Sequence, residues 1–226
     1  MKSTGMLSVL ILSAAVLQAG ESATSRLTDA ADVFSEIMGT PDKGIPQELL
    51  EKAQCVAIVP GLKKAAFGVG GEFGKGFVEC RKQGGTGWGA PAAVRVEGGS
   101  FGFQLGGSST DVVMLVMNKR GMDRLMTSKF TLGADASVAA GPVGRTADAK
   151  TDAYMTAEIL ARSRSKGLFA GISLSGATLR NDLDGNKELY GSRLTNKEVL
   201  AGDKEAPAAA SKLIAELDKY SMHKEH

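Results

Sequence analysis

Histidine is nearly missing from this chain: of 226 residues only His223 and His226, at the C-terminal tip, are histidine. That scarcity excludes a Ser-His-acid triad and a histidine-activated cysteine in the body of the protein. Cysteine is equally sparse. Cys55 and Cys80 stand far apart in sequence, too few for a structural zinc site. Charge of one sign is lacking too: 27 Lys and Arg against 25 Asp and Glu leave a formal net charge of +2, so no global field points to nucleic acid. Phosphate cradles fail as well. The run Gly68-Val69-Gly70-Gly71-Glu72-Phe73-Gly74 places its third glycine one position late for a dinucleotide fingerprint, and Glu72 would repel phosphate. Gly171-Ile172-Ser173-Leu174-Ser175-Gly176 is one residue off a nucleophile elbow. Asp182, Asp184 and Asn186 alternate oxygen side chains in NDLDGN, but no bidentate glutamate follows at calcium-loop spacing, so a turn is expected there. These absences predict a protein that is not an enzyme and holds no metal or cofactor.

Long apolar runs are also scarce. The one near the start, Met6 to Leu17, is too short to cross a bilayer comfortably; Lys2 precedes it and the small residues Ala19, Gly20 and Ala23 follow. Residues 1–23 therefore read as a signal peptide, cleaved between Ala19 and Ala23, and the mature chain is expected in the periplasm or secreted. Export would permit a disulfide between Cys55 and Cys80; two small buried thiols are the alternative.

What the chain has in quantity is glycine, 29 residues, spread through its middle. FGVGGEFGKGF, SFGFQLGG and LFAGISLSG set glycine or serine between larger residues. Glycine at such positions removes a side chain from one strand face and permits bulges and strong curvature. A curved, mostly antiparallel sheet or barrel-like body follows, covered by helices: an α+β fold. Leu27, Ala30, Ala31, Phe34, Ile37 and Met38 recur at helical spacing, Gln47 to Gln54 follows Pro46 as a second short helix, and Ser211 to Met222 forms an amphipathic C-terminal helix. Cys55 to Val59 reads as a buried strand stopped by Pro60 and Gly61, Lys119 to Ser128 as a helix, and Gly167 to Leu179 as a strand pair or bent strand. The main domain is set at residues 24–202, with the helix and tail at 203–226.

Local basic clusters are the candidates for recognition. Lys63-Lys64 follows the Pro60-Gly61 turn, and Arg162, Arg164 and Lys166 alternate, which puts all three on one side of an extended segment. They could receive phosphate headgroups, or be neutralised by acids such as Glu158 and Asp182. The apolar neighbours considered with them are Phe67, Phe73, Phe101, Phe103 and Phe169, each weighed chiefly as core.

Four phrases together resemble the SYLF family, also called Ysc84-like or DUF500: IPQELLEKAQCVAIVPGLKKAAFGVGGEFGKGFVECR, GWGAPAAVRVEGGSFGFQLGGSSTDVVMLV, LGADASVAAGPVGR and SRSKGLFAGISLSGATLRNDLDGNKELYG. The likeness runs from about Ala30 to Gly191. The resemblance implies phospholipid binding through basic surface and an amphipathic N-terminal helix, with eukaryotic members associated with phosphoinositide membranes and some with actin. Carried onto this chain, the expected headgroup residues are Lys63, Lys64, Arg162, Arg164 and Lys166. Ala161-Arg162 departs from a Ser-Tyr common in relatives, adding a charge and removing an aromatic. The helix over Leu27 to Met38 carries Asp29, Asp32 and Glu36 on its polar face, which suits packing on the body better than an anionic surface. A non-catalytic protein binding anionic phospholipid at the cell envelope is the expected function; an envelope module with a protein partner is the alternative.

Overall fold

Ser22 opens the first helix by accepting a hydrogen bond from the Ser25 N–H, satisfying one of the free donors of the first turn. Helix α1 (Ala23–Gly39) buries the apolar stripe anticipated from its spacing, Phe34 and Ile37 completely. Helix α2 (Gln47–Lys52) follows Pro46. Four strands come next, β1 (Cys55–Phe67), β2 (Val69–Cys80), β3 (Ala92–Phe101) and β4 (Gly106–Val116), then α3 (Lys119–Leu125). Strands β5 (Lys129–Thr131), β6 (Val138–Ala140), β7 (Ile159–Ser165), β8 (Leu168–Gly171) and β9 (Thr178–Asn181) precede α4 (Leu183–Tyr190), α5 (Asn196–Leu200), a 3₁₀ turn (Ala208–Ala210) and α6 (Ser211–Ser221). This computed structural model describes residues 21–40, 44–67, 69–82, 84, 87–101, 106–141, 157–165, 168–171, 174–201 and 204–221. The expected signal peptide lies, but for its last three residues, outside them.

The strands form one sheet in the order β5-β9-β3-β2-β1-β4-β7-β6, with β8 sharing the outer edge of β7 beside β6. Every pairing is antiparallel except β6 with β7. The sheet must curl. Eight strands in line would set β5 and β6 roughly 34 Å apart at about 4.8 Å per gap. Yet only residues 132–137 join them, and this link doubles back: Gly133 N–H donates to the Ala136 carbonyl and Asp135 N–H to that of Thr131. The anticipated mostly antiparallel, glycine-rich, curved body with helical cover is the observed α+β architecture.

Both faces of the sheet are dry over most of their area. On the outer face Val56, Ile58, Phe77, Val113, Leu115 and Leu160 pack under α1, α2 and α6. On the inner face Val59, Val94, Val96, Met114 and Leu179 meet Phe130, Leu132, Leu174 and Val199. The C-terminal helix joins the outer core through Leu213 and Leu217.

Three sequence expectations need correction. Pro60 and Gly61 do not stop the first strand. They form a bulge: β1 advances one residue more than β2 between Ile58 and Lys63, and one more than β4 between Val59 and Leu62. The bulge leaves Pro60 outside both ladders, so its missing N–H is harmless in a central strand. Gly61 takes φ 55°, and its N–H donates to Asp111 Oδ1 at 2.9 Å. Second, the segment 167–179 does not fold back on itself: β8 pairs with β7, while β9 pairs with β3 and β5. Third, NDLDGN is a helix start rather than a turn. Asn186, fully buried in α4, accepts from the Ala93 N–H and donates to the Leu194 carbonyl.

Cys55 and Cys80 face each other across β1 and β2 and are disulfide-bonded. The bond closes a separation of 25 residues, for which chain entropy gives about 3.5 kcal/mol. Cys55→Ala/Cys80→Ala is expected to lower urea stability by that amount; a loss under about 1 kcal/mol would mean the β1–β2 ladder alone supplies the constraint.

Candidate anion-binding face

Four of the five basic residues expected to act together, Lys63, Lys64, Arg162 and Arg164, are distributed by the strand register. Lys63 is exposed on the outer face of β1, directly opposite Phe73 of β2. Lys64 points to the other face and pairs with Glu72 at 2.9 Å. Arg162 and Arg164 do share the outer face, as their alternation implied, but both hold structure together. Arg162 is 3% exposed and donates through Nη1 to the Gly44 carbonyl at 2.8 Å. Burial lowers its pKa. Arg164 donates to Asp111 Oδ2 at 2.9 Å and to Glu36 of α1. Burial works against its charge, but Glu36 and Asp111 outweigh that and raise its pKa. Asp111 also caps the bulge at Gly61, so one polar chain ties β1, β4, β7 and α1. Glu158 and Asp182, the acids considered as partners, pair instead with Arg120 and Lys75. Lys166 lies outside the described residues, as do the side chains of Phe67, Phe101, Phe103 and Phe169.

The register assembles a second basic group that no sequence spacing announces. Lys75 stands opposite Arg95, Arg95 opposite Arg180, and Arg180 opposite Lys129, one cation on each of β2, β3, β9 and β5. Alternation fixes their side. Val94, Val96, Leu179 and Phe130 face the inner core, so Arg95, Arg180 and Lys129 face outward, with Lys75 two residues from the outward Phe77. Neighbouring members sit about 4.8 Å apart. Glu97 lies between two of them: Oε1 takes Arg95 Nε at 2.9 Å and Oε2 takes Arg180 Nη1 at 3.0 Å. Lys75 is anchored on the buried Asp182 at 2.9 Å.

Above this row the outer face is left uncovered by the helices. Phe73 is 48% exposed, the one exposed large hydrophobic side chain among the described residues. Next along the strands come Gly107, Ala65, Gly71 and Gly99, aligned across β4, β1, β2 and β3 and all exposed. A Cβ built on Gly71 or Gly99 meets only a backbone oxygen, at 3.7 and 4.0 Å. An open cleft of about 570 Å³ lies where the β2–β3 hairpin passes β5 and β9, with Phe73, Lys129 and Arg180 on its wall beside Glu72, Glu97 and Asp135.

The charges on this face have a clear remainder. On this face Glu97 is held by two arginines and Asp182 by Lys75, while the exposed Asp135 accepts the Thr131 N–H and forms no ion pair among the described residues; Glu72 and Lys64 pair on the opposite face. Lys63 and Lys129 form no ion pair among the described residues. No group of metal-ligating side chains occurs among the described residues, and no described helix is long and apolar enough to cross a membrane.

Residues 97–220 match the Ysc84 family, described as "Las17-binding protein actin regulator". The chain is 35% identical over 185 residues to Protein YSC84 of Saccharomyces cerevisiae, covering 80% of this chain and 39% of that protein. It is 35% identical over 185 residues to LAS seventeen-binding protein 3 of the same yeast, covering 80% and 40%. It is 33% identical over 191 residues to human SH3 domain-containing YSC84-like protein 1, covering 83% and 55%. The chain thus spans between about two fifths and just over half the length of these curated relatives.

Proposed function

The chain belongs to the Ysc84, or SYLF, family, and from that premise we propose that it is a non-catalytic module that docks on anionic phospholipid surfaces through the uncovered outer face of its sheet. One observation carries this reading: Glu97 and Asp182 of that face are already paired with cations, while Lys63 and Lys129 form no ion pair among the described residues and flank the exposed Phe73. Cations beside one exposed aromatic ring on a side-chain-poor surface suit a headgroup layer, where electrostatic attraction brings the face close and the ring enters the interface. The apolar stripe of α1 is sealed in the core, which favours the sheet over the helix as the contact. The proposal places the protein at the cell envelope, periplasmic or secreted, where the disulfide would persist.

Flotation with phosphatidylglycerol-containing vesicles tests it. Lys63→Glu/Lys129→Glu should weaken binding about thirtyfold or more at low salt, at about 1 kcal/mol or more per surface charge reversed, with phosphatidylcholine vesicles as the baseline. Equal recovery with both vesicle types, unchanged in the variant, would sink the reading. The names of the relatives favour a second one, a protein partner bound by the same module. It would give an envelope protein co-purifying with the chain and no dependence on anionic lipid.

A further inference from the structure

We infer that the cation row on β3, β9 and β5 selects a ligand carrying two phosphate groups close together over ligands carrying one. This rests on the anionic-surface reading above and adds a preference to it. Glu97 sits at the centre of the row. Its two carboxylate oxygens are spent on two different guanidinium groups, one from Arg95 and one from Arg180, which stand opposite each other on neighbouring strands. A carboxylate so placed is a yoke. It holds two planar forks side by side and leaves each with donors that Glu97 does not reach, since a guanidinium carries five N–H groups. Lys129 continues the row one strand further and is exposed.

Charge matches this count. Within the row itself Arg95, Arg180 and Lys129 against Glu97 leave two positive charges, and Lys75 is already neutralised by Asp182; the exposed Asp135 on the cleft wall is the nearby carboxylate that a ligand must pass. Spacing matches as well: receptors one to two strands apart lie about 5–10 Å from each other, the range of two phosphates joined by a short linker. A monophosphate engages one fork and leaves the second facing water. A bisphosphate engages both, and its second contact is intramolecular, raised by effective concentration. The cleft beside the row, with Arg180, Lys129, Glu97, Glu72 and Asp135 on its wall, gives one end of such a headgroup a concave seat next to Arg180 and Lys129. Glu97 touches no ligand in this scheme and acts as a positioning residue.

The test uses the full mature chain and phosphatidylcholine vesicles doped with cardiolipin, whose two phosphates share one glycerol, or with twice the molar amount of phosphatidylglycerol, so that surface charge is equal. The wild type is expected to bind the cardiolipin vesicles about tenfold more tightly, a value of one good charge-assisted contact. Arg95→Gln/Arg180→Gln should abolish that preference while phosphatidylglycerol binding through Lys63 persists. Arg95→Lys keeps the charge and loses the fork, so it should lower the preference and leave the phosphatidylglycerol affinity alone. Glu97→Gln separates positioning from bulk charge: it makes the face more positive, yet should lower the preference.

Equal affinity for the two vesicle types in the wild type overturns the inference and leaves the membrane reading standing. So does a preference that survives Arg95→Gln/Arg180→Gln. Failure to bind either vesicle overturns the membrane reading. In that event titration with inorganic pyrophosphate decides the row: binding lost in the double variant assigns it to a soluble diphosphate, and no binding ends the inference too.

Discussion

Gly76→Ala is expected to leave the protein unable to fold stably. A Cβ at that position would stand 2.0 Å from the Ile58 carbonyl oxygen and 2.8 Å from the Val59 Cα, both backbone atoms of the neighbouring strand. Side chains can rotate away from an intruder; a ladder carbonyl can retreat only if β1 moves. That strand lies in the middle of the sheet and is buried on both faces from Cys55 to Val59. The close approach arises where Pro60 and Gly61 bulge β1, so that its backbone passes over the bare side of β2. Overpacking in a core typically costs 1–3 kcal/mol. A clash with immovable backbone should exceed roughly 3 kcal/mol, a large share of the 5–15 kcal/mol of a typical domain. Gly74→Ala should fall below it, because its nearest neighbours at 2.7 and 2.8 Å are side-chain atoms of Val59 and Leu62. Gly71→Ala, on the open outer face, should lie within about 0.5 kcal/mol of wild type. Urea denaturation midpoints for the three variants give the order directly. A Gly76→Ala protein as stable as Gly71→Ala would mean that β1 does not cross β2 this closely.

These glycines show how far one sequence can be read. Their alternation announced a curved sheet because a side chain missing on one face has few other uses in a strand. The α1 stripe was legible for a similar reason: period and packing face are set locally. The Pro60-Gly61 pair was misread because a turn and a bulge use the same residues, and only pairing on both sides distinguishes them. The region after NDLDGN held two helices that the residues did signal. Thr195 and Glu198 form a capping box, reciprocal hydrogen bonds that a Ser/Thr-x-x-Glu pattern foreshadows. It stood without a long apolar run behind it, and so drew no notice.

The candidate site was less legible, for a reason of topology. Alternation correctly put Arg162 and Arg164 on one side of β7. Their partners, Gly44, Glu36 and Asp111, come from distant parts of the chain. A cation whose counter-charge is remote in sequence looks free until the fold is known. The converse holds for Lys75, Arg95, Lys129 and Arg180. Each stands alone in its own strand, and three different strand pairings bring them together. Recognition by sheet faces is written across the strands, at right angles to the direction in which a sequence is read.

Stability should fall as pH rises above the ordinary carboxylate range, and one residue should account for it. Glu79 on β2 is 1% exposed, and neither of its carboxylate oxygens has a hydrogen-bond partner among the described residues. Burial, and secondarily the charge of Asp218 on α6, push its pKa well above that of a free glutamate. Tyr190 of α4 is the other titratable group that feels it; burial first, then the Glu79 charge, raise the phenol. The folded chain therefore keeps a proton on Glu79 at pH values where the unfolded chain has released it. Where the folded state binds more protons, unfolding becomes easier as pH rises. The stability contribution is intact below the unfolded pKa, near 4.5, and is lost progressively up to the folded pKa, by at most about 1.4 kcal/mol per pH unit. Glu79→Gln keeps the shape and removes the titration, so its stability should be flatter over that window. Glu79→Met goes further, replacing an unpaired polar group with an apolar one beside Val56 and Phe77, and should stabilise the protein at neutral pH by about 1–3 kcal/mol. Chemical denaturation at a series of pH values, wild type against both variants, measures the difference. Parallel curves for wild type and Glu79→Gln would show that the carboxyl titrates alike in both states. A Glu79→Met protein weaker than wild type at neutral pH would reveal a partner holding that carboxylate in charged form.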